Sequence, residues 1–148
     1  MTDLDDFLNE VMPQQIEAEE AIHNGDPEPR LRMWSSAEPV TLLGAFGTCN
    51  SGWDEVSQTF RWVAARFSNG ADYSFELLAA GASGDLAYTV GIERRAVSLD
   101  GGAVTWGALR VTHVYRRELG DWKIVHRHGD SVGVDQSRPT EQQPPTGT

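Results

Sequence analysis

The chain has 148 residues, the length of one domain and enough to bury a substantial core. Its formal net charge of −10 argues against nucleic acid, because a phosphate backbone needs a concentrated basic surface. Five tryptophans, five phenylalanines and three tyrosines favour a packed interior or a pocket over disorder, and no apolar run is long enough to span a bilayer.

Acidic residues gather towards the N-terminus and several arginines sit in the later part, so an anion can still be met locally. Cys49 is the single cysteine, which excludes an intramolecular disulfide and fits a reducing compartment. The opening Met1-Thr2-Asp3-Leu4-Asp5-Asp6 is acidic, unlike the start of a secretory signal, so a cytoplasmic location is expected.

Thr2 with Asp5 three residues on suggests a capping box, and Leu4, Leu8, Val11, Met12, Ile16 and Ile22 follow at helical spacing. Pro13 has no amide hydrogen, which predicts a kink or a restart there. Asn24-Gly25-Asp26-Pro27 ends the helix. Its acidic residues Glu17, Glu19 and Glu20 are expected to be solvated. Glu28–Trp34 reads as a short second helix and Val40–Leu43 as a strand. The glycine-rich stretch Gly44–Gly52 lacks the Lys-Ser/Thr ending of a phosphate-binding loop and reads as a plain connection. Trp53–Arg66 is an amphipathic helix with Val56, Phe60, Val63 and Phe67 on its buried stripe, and Trp53 and Trp62 are expected in the core.

From Asp72 the period becomes strand-like: Tyr73–Ala80, a turn at Gly81–Asp85, Leu86–Val97, a turn at Asp100-Gly101-Gly102, Val104–Arg117 and Trp122–Val132. Residues 1–132 form the domain. Residues 133–148, rich in Pro, Gln and Thr towards the end, are expected to be a flexible tail. Helices followed by a meander of strands predict an α+β fold, with the helices on one face of a curved sheet. Val111 and Tyr115 fall on one face of their strand and Val114 on the other, so the second face is expected to meet another copy in a homodimer.

The last two strands collect the chemistry. A four-residue loop, Glu118 to Asp121, sets Arg117 opposite Trp122 and, by period-two counting, His113 opposite His126; an odd loop would turn His113 to the other face. A histidine titrates near neutrality and passes protons, so His113 is a candidate acid or base, or else a histidine bonded within the sheet. Asp130 is a candidate to orient an imidazole, or it caps a loop beside Gly129. His126 and His128 share a strand face, His126 a candidate to orient His113 and His128 a candidate ligand contact, or else both are structural histidines bonded to neighbouring loops; without a nearby third ligand no metal is expected. Arg110 is a candidate for a ligand carboxylate or enolate, or for an ion pair across the sheet. Tyr88 is a candidate to polarise a carbonyl, and Trp34, Trp53 and Phe60 to wall a pocket.

Gly84-Asp85-Leu86-Ala87-Tyr88, Leu109-Arg110-Val111-Thr112 and Trp122-Lys123-Ile124-Val125-His126-Arg127-His128 resemble the SnoaL-like, ketosteroid-isomerase-like group of the nuclear-transport-factor-like superfamily. The likeness covers about Leu4 to Val132. It implies a cone-shaped fold with a pocket between helices and concave sheet, and a family that includes isomerases, cyclases, dehydratases and inert binding modules. The sequence departs from the epoxide-hydrolase-like members, since Arg110-Val111-Thr112 lacks the acid of their Arg-x-Asp pair. His113 with His126 or Asp130 is similar to the histidine pairings of the cyclases and dehydratases. In the similar association domain of calmodulin-dependent kinase the position matching His113 bears a pocket arginine, which implies that His113 faces inward. The expectation is a cytoplasmic homodimer whose pocket takes an apolar or aromatic metabolite. As an enzyme it works by proton transfer without a cofactor, as an isomerase, cyclase or dehydratase. The alternative is a binding or dimerisation module without chemistry.

Overall fold

The computed structural model describes residues 2–132, so the tail expected from residue 133 lies outside the described residues. Helix α1 (Asp3–Ile22) opens on the expected box: the Thr2 hydroxyl accepts from the Asp5 amide at 3.1 Å and the Asp5 carboxylate accepts from the Thr2 amide at 3.2 Å. The helix runs unbroken through Pro13 rather than restarting. Its buried stripe is Phe7, Val11, Gln15, Ala18, Glu19 and Ile22, whereas Ile16 is exposed. Glu17 and Glu20 face solvent as expected, but Glu19 does not; it is only 3% exposed. Four residues after Gln15, it falls on the inward stripe, where arginines from elsewhere in the chain meet it.

After α2 (Glu28–Met33) come β1 (Thr41–Leu43) and β2 (Cys49–Ser51). These two strands make a small hairpin where the sequence suggested a plain glycine-rich connection; Cys49-Asn50-Ser51 carries no apolar alternation to betray a strand. Helix α3 (Trp53–Arg66) has the expected bounds and buries Val56, Phe60 and Ala64. Trp53 packs partly buried against the core, but Trp62 is 47% exposed, a departure from the expected core position.

The long strands are β3 (Phe67–Ser83), β4 (Leu86–Leu99), β5 (Val104–Glu118) and β6 (Asp121–Ser131). They form one six-stranded sheet in the order β2-β1-β6-β5-β4-β3, antiparallel except for the β1–β6 pair. Strand β3 begins before Asp72, directly after α3. Ser68-Asn69-Gly70-Ala71-Asp72 is strand interrupted by register shifts, with Asn69 and Asp72 in left-handed conformation at φ 55° and 57°. Such bulges bend a strand, and the bent sheet wraps the helices into the α+β cone.

The enclosed space is graded along the strands. Beneath the β5–β6 turn, Tyr115, Trp122 and Ile124 meet Phe7, Val11 and Trp34 in the apolar core, with the Phe7 ring edge-on to Tyr115 and Trp122 at 5.0 and 5.1 Å. One step further, where the second half of α1 crosses the sheet, the buried residues become polar: Gln15, Glu19, Thr89, Glu93, His113 and Arg127. Beyond them the cone holds a cavity.

Candidate functional site

Arg117 does pair with Trp122, so the turn has the expected parity and His113 faces inward, 2% exposed. His126 does not join it. The register shifts by one between Val114 and Tyr115, leaving Val125 as an extra residue on β6; His113 then pairs with Arg127, and Val114 with His126. A one-residue bulge exchanges the faces of everything beyond it. Arg127 therefore points into the cone and His126 away, where its Nδ1 lies 2.8 Å from the Thr41 hydroxyl.

The other residues expected around His113 are likewise on the far face. Asp130 takes both donors of the Arg110 guanidinium, at 2.7 and 2.8 Å, so it orients no imidazole and Arg110 is satisfied across the sheet. His128 is exposed beside that pair. Tyr88, 44% exposed, lies over Gly81 on the outer surface and reaches no interior carbonyl. Trp34 is buried core, edge-on to Phe60 at 5.0 Å, and Trp53 does not reach the cavity; of the aromatic trio only Phe60 lines it.

What surrounds His113 is a network that the strand patterns held without its being read there. Inward positions on β4 are Ala87, Thr89, Gly91, Glu93 and Arg95, so period two already places Glu93 and Arg95 on the face of His113. Arg127 donates to Glu93 at 2.9 Å and lies with its other terminal nitrogen 3.0 Å from His113 Nε2. The Tyr73 hydroxyl donates to the second Glu93 oxygen at 2.8 Å and accepts from Gln15 at 3.2 Å. Arg30, from α2, forks onto both oxygens of Glu19. A guanidinium only donates, so His113 Nε2 must accept, which fixes a neutral ring with its proton on Nδ1. That nitrogen has no partner among the described residues.

Electrostatics follow from this burial. Loss of water, then the Arg127 charge, holds His113 well below the ordinary histidine range. Burial, with the neighbouring Arg30 charge adding to it, pushes His23 down to about 3. Against the upward push of burial, Arg127 holds Glu93 below the usual carboxylate range. Burial pushes Glu19 up, against the pull of Arg30; the two-oxygen fork is carboxylate geometry.

The cavity above this network measures about 140 Å³. Phe46, Phe60, Val63 and Phe67 form its apolar side, and Glu19, His23, Arg30, Arg95 and Arg127 its polar side. His113 is not among the lining residues; Arg127 lies between it and the space. Phe46, on the β1–β2 turn, and Trp62, on α3, pack edge-on at 5.6 Å, and the Arg66 guanidinium lies 4.6 Å from each ring centre. A larger hollow of about 310 Å³ between α1, α2 and the start of β6 is edged by charges of both signs and gathers none of the buried network. Among the described residues no three His, Cys, Asp or Glu side chains come together as metal ligands.

The sequence profile of the SnoaL-like domain family matches residues 16–134. The chain belongs to that family. No curated protein matches it. Among solved structures, this SnoaL-like chain is similar to a candidate dehydratase of the NTF2-like family from Streptomyces avermitilis, with TM-score 0.69 and 23% identity over 88% of this chain and 99% of that one. An uncharacterised cystatin-like-fold protein from Caulobacter vibrioides gives 0.67 and 16% over 88% and 92%. A candidate calcium/calmodulin-dependent protein kinase II association domain from Xanthomonas campestris gives 0.63 and 16% over 83% and 86%. At these identities the shared feature is the fold.

Proposed function

We propose that this SnoaL-like protein binds a small, partly aromatic metabolite in its cone cavity, and that His113 does no chemistry on it. The observation that carries this reading is the position of the imidazole. Its Nε2 is engaged by Arg127 and the ring lies beneath the cavity floor, so it has no path to a bound molecule. The cavity itself combines an aromatic wall with convergent polar groups, the composition of a small-molecule site. At about 140 Å³ it is smaller than the ~300–1,000 Å³ of drug-sized pockets, which limits the ligand to roughly one ring.

Proton transfer, as an isomerase or dehydratase would require, is the second reading, and it runs through His23 rather than His113. The His23 ring lines the cavity and burial keeps it neutral; at about 3 its pKa makes it a weak base, which is why this reading stands second. Two further features belong to the leading reading. The apolar outer face of the sheet supports a homodimer, and the lone, exposed Cys49 fits a cytoplasmic setting. Among the described residues no helix is long and apolar enough to cross a membrane.

A ligand-observed NMR screen of one-ring aromatics tests the binding reading, run on wild type, His113→Gln and Val63→Trp. Hits should persist in His113→Gln and vanish in Val63→Trp, whose larger side chain fills the cavity. Turnover of a hit by wild type but not by His113→Gln would overturn it.

A further inference from the structure

We propose that the cone cavity selects a carboxylate, held by the guanidinium of Arg95 with the ligand's ring against the Phe46–Phe60 wall. The inference rests on the binding reading above and names the class of its ligand.

Among the described residues Arg95 is the cavity arginine without a direct ion pair; Glu93 and Glu19 act on it only at longer range. Both oxygens of Glu19 are taken by Arg30, and both oxygens of Glu93 by Arg127 and Tyr73. Arg95 shares the inward face of β4 with Glu93, yet among the described residues it makes no hydrogen bond or ion pair, and its Nε is shut from solvent with no acceptor. Buried donors are nearly always satisfied, and one that is not calls for an acceptor from outside the chain.

Its position is also prepared. Gly107 is its partner in the β4–β5 register, and a Cβ there would come within 2.2 Å of an Arg95 terminal nitrogen. The guanidinium therefore lies over the neighbouring strand in the space that a side chain at 107 would fill. Charge points the same way. Arg30, Arg95 and Arg127 face Glu19 and Glu93, which leaves one positive charge in excess, and protonation of Glu19 would only increase it. A planar fork in a partly dry site matches the two oxygens of a carboxylate. The neutral His23 ring beside it can donate one more hydrogen bond.

The experiment is calorimetric titration of the full chain with benzoate and with benzamide, its uncharged counterpart, for wild type, Arg95→Gln, Gly107→Ala and Val63→Trp. Wild type should prefer benzoate by about tenfold or more, the increment of a charge-assisted pair. Arg95→Gln should abolish the preference while retaining benzamide binding, and Gly107→Ala, which displaces the guanidinium without deleting it, should reduce it. Equal affinity of wild type for both compounds, or a benzoate preference that survives in Arg95→Gln, overturns the carboxylate assignment and leaves the binding reading intact. Absence of binding by either compound to wild type, or binding that persists in Val63→Trp, overturns both.

Discussion

At His113 the sequence offers an acid–base residue and the fold withdraws it. The ring is neutral because a guanidinium occupies one nitrogen and no water reaches the other. Its folded-state pKa lies well below the ordinary value of 6.5. The unfolded chain therefore binds a proton that the folded chain refuses, and the sign follows. Stability from this group is complete above about pH 6.5 and is lost as pH falls from there towards the folded-state value. The slope is about 1.4 kcal/mol per pH unit for one proton. Urea unfolding of wild type and His113→Gln between pH 7.5 and 4.5 isolates it: the curve of the variant should be flatter by about that slope. Glu19, pushed upward, contributes with the opposite sign in both proteins and cancels in the difference. Parallel curves would mean that the imidazole titrates freely and is not sealed.

At the scale of elements, two features decided which residues met. One is the bulge at Val125. Turn parity was legible from Glu118 to Asp121, and the pairing of Arg117 with Trp122 followed. The extra residue was not, because Ile124-Val125-His126 alternates poorly whether or not it is bulged, and nothing local marks the slip. Every candidate on β6 beyond that point, His126, His128 and Asp130, consequently exchanged faces with Arg127 and Gly129. The other feature is the inward stripe of α1. Apolar spacing showed that a helix exists but hid Gln15 and Glu19, since polar residues on a buried stripe break the pattern by which the stripe is recognised. Glu19 joins α1 to α2 through Arg30, and both are buried. Breaking such a pair from one side leaves a buried charge without a partner. Glu19→Gln should lose about 3–5 kcal/mol in chemical denaturation at pH 7.5, and the double variant Glu19→Leu, Arg30→Met should recover most of it. A loss below about 1 kcal/mol in Glu19→Gln would show that the carboxyl is already protonated.

For the whole molecule the cone was readable from the order of helices and strands, and so was its second apolar surface. Facing away from the cavity, Leu78, Leu86, Tyr88 and Trp106 are exposed, and Val90 and Ile92 continue the strip across the middle of the sheet. The Arg110–Asp130 pair borders it. In the homodimer proposed above, a two-fold axis through this face would bring identical apolar strips together. A dimer of ordinary strength covers about 800 Å² per partner. A charge at the centre of that strip touches neither the cavity nor the buried network. Ile92→Arg should therefore convert the particle measured by light scattering from twice 16.3 kDa to a single chain, while leaving benzoate affinity within about threefold of wild type. A wild-type protein that elutes as one chain at 100 μM would leave the strip without a partner, and a variant that lost both the dimer and the ligand would tie the shape of the cavity to the second copy.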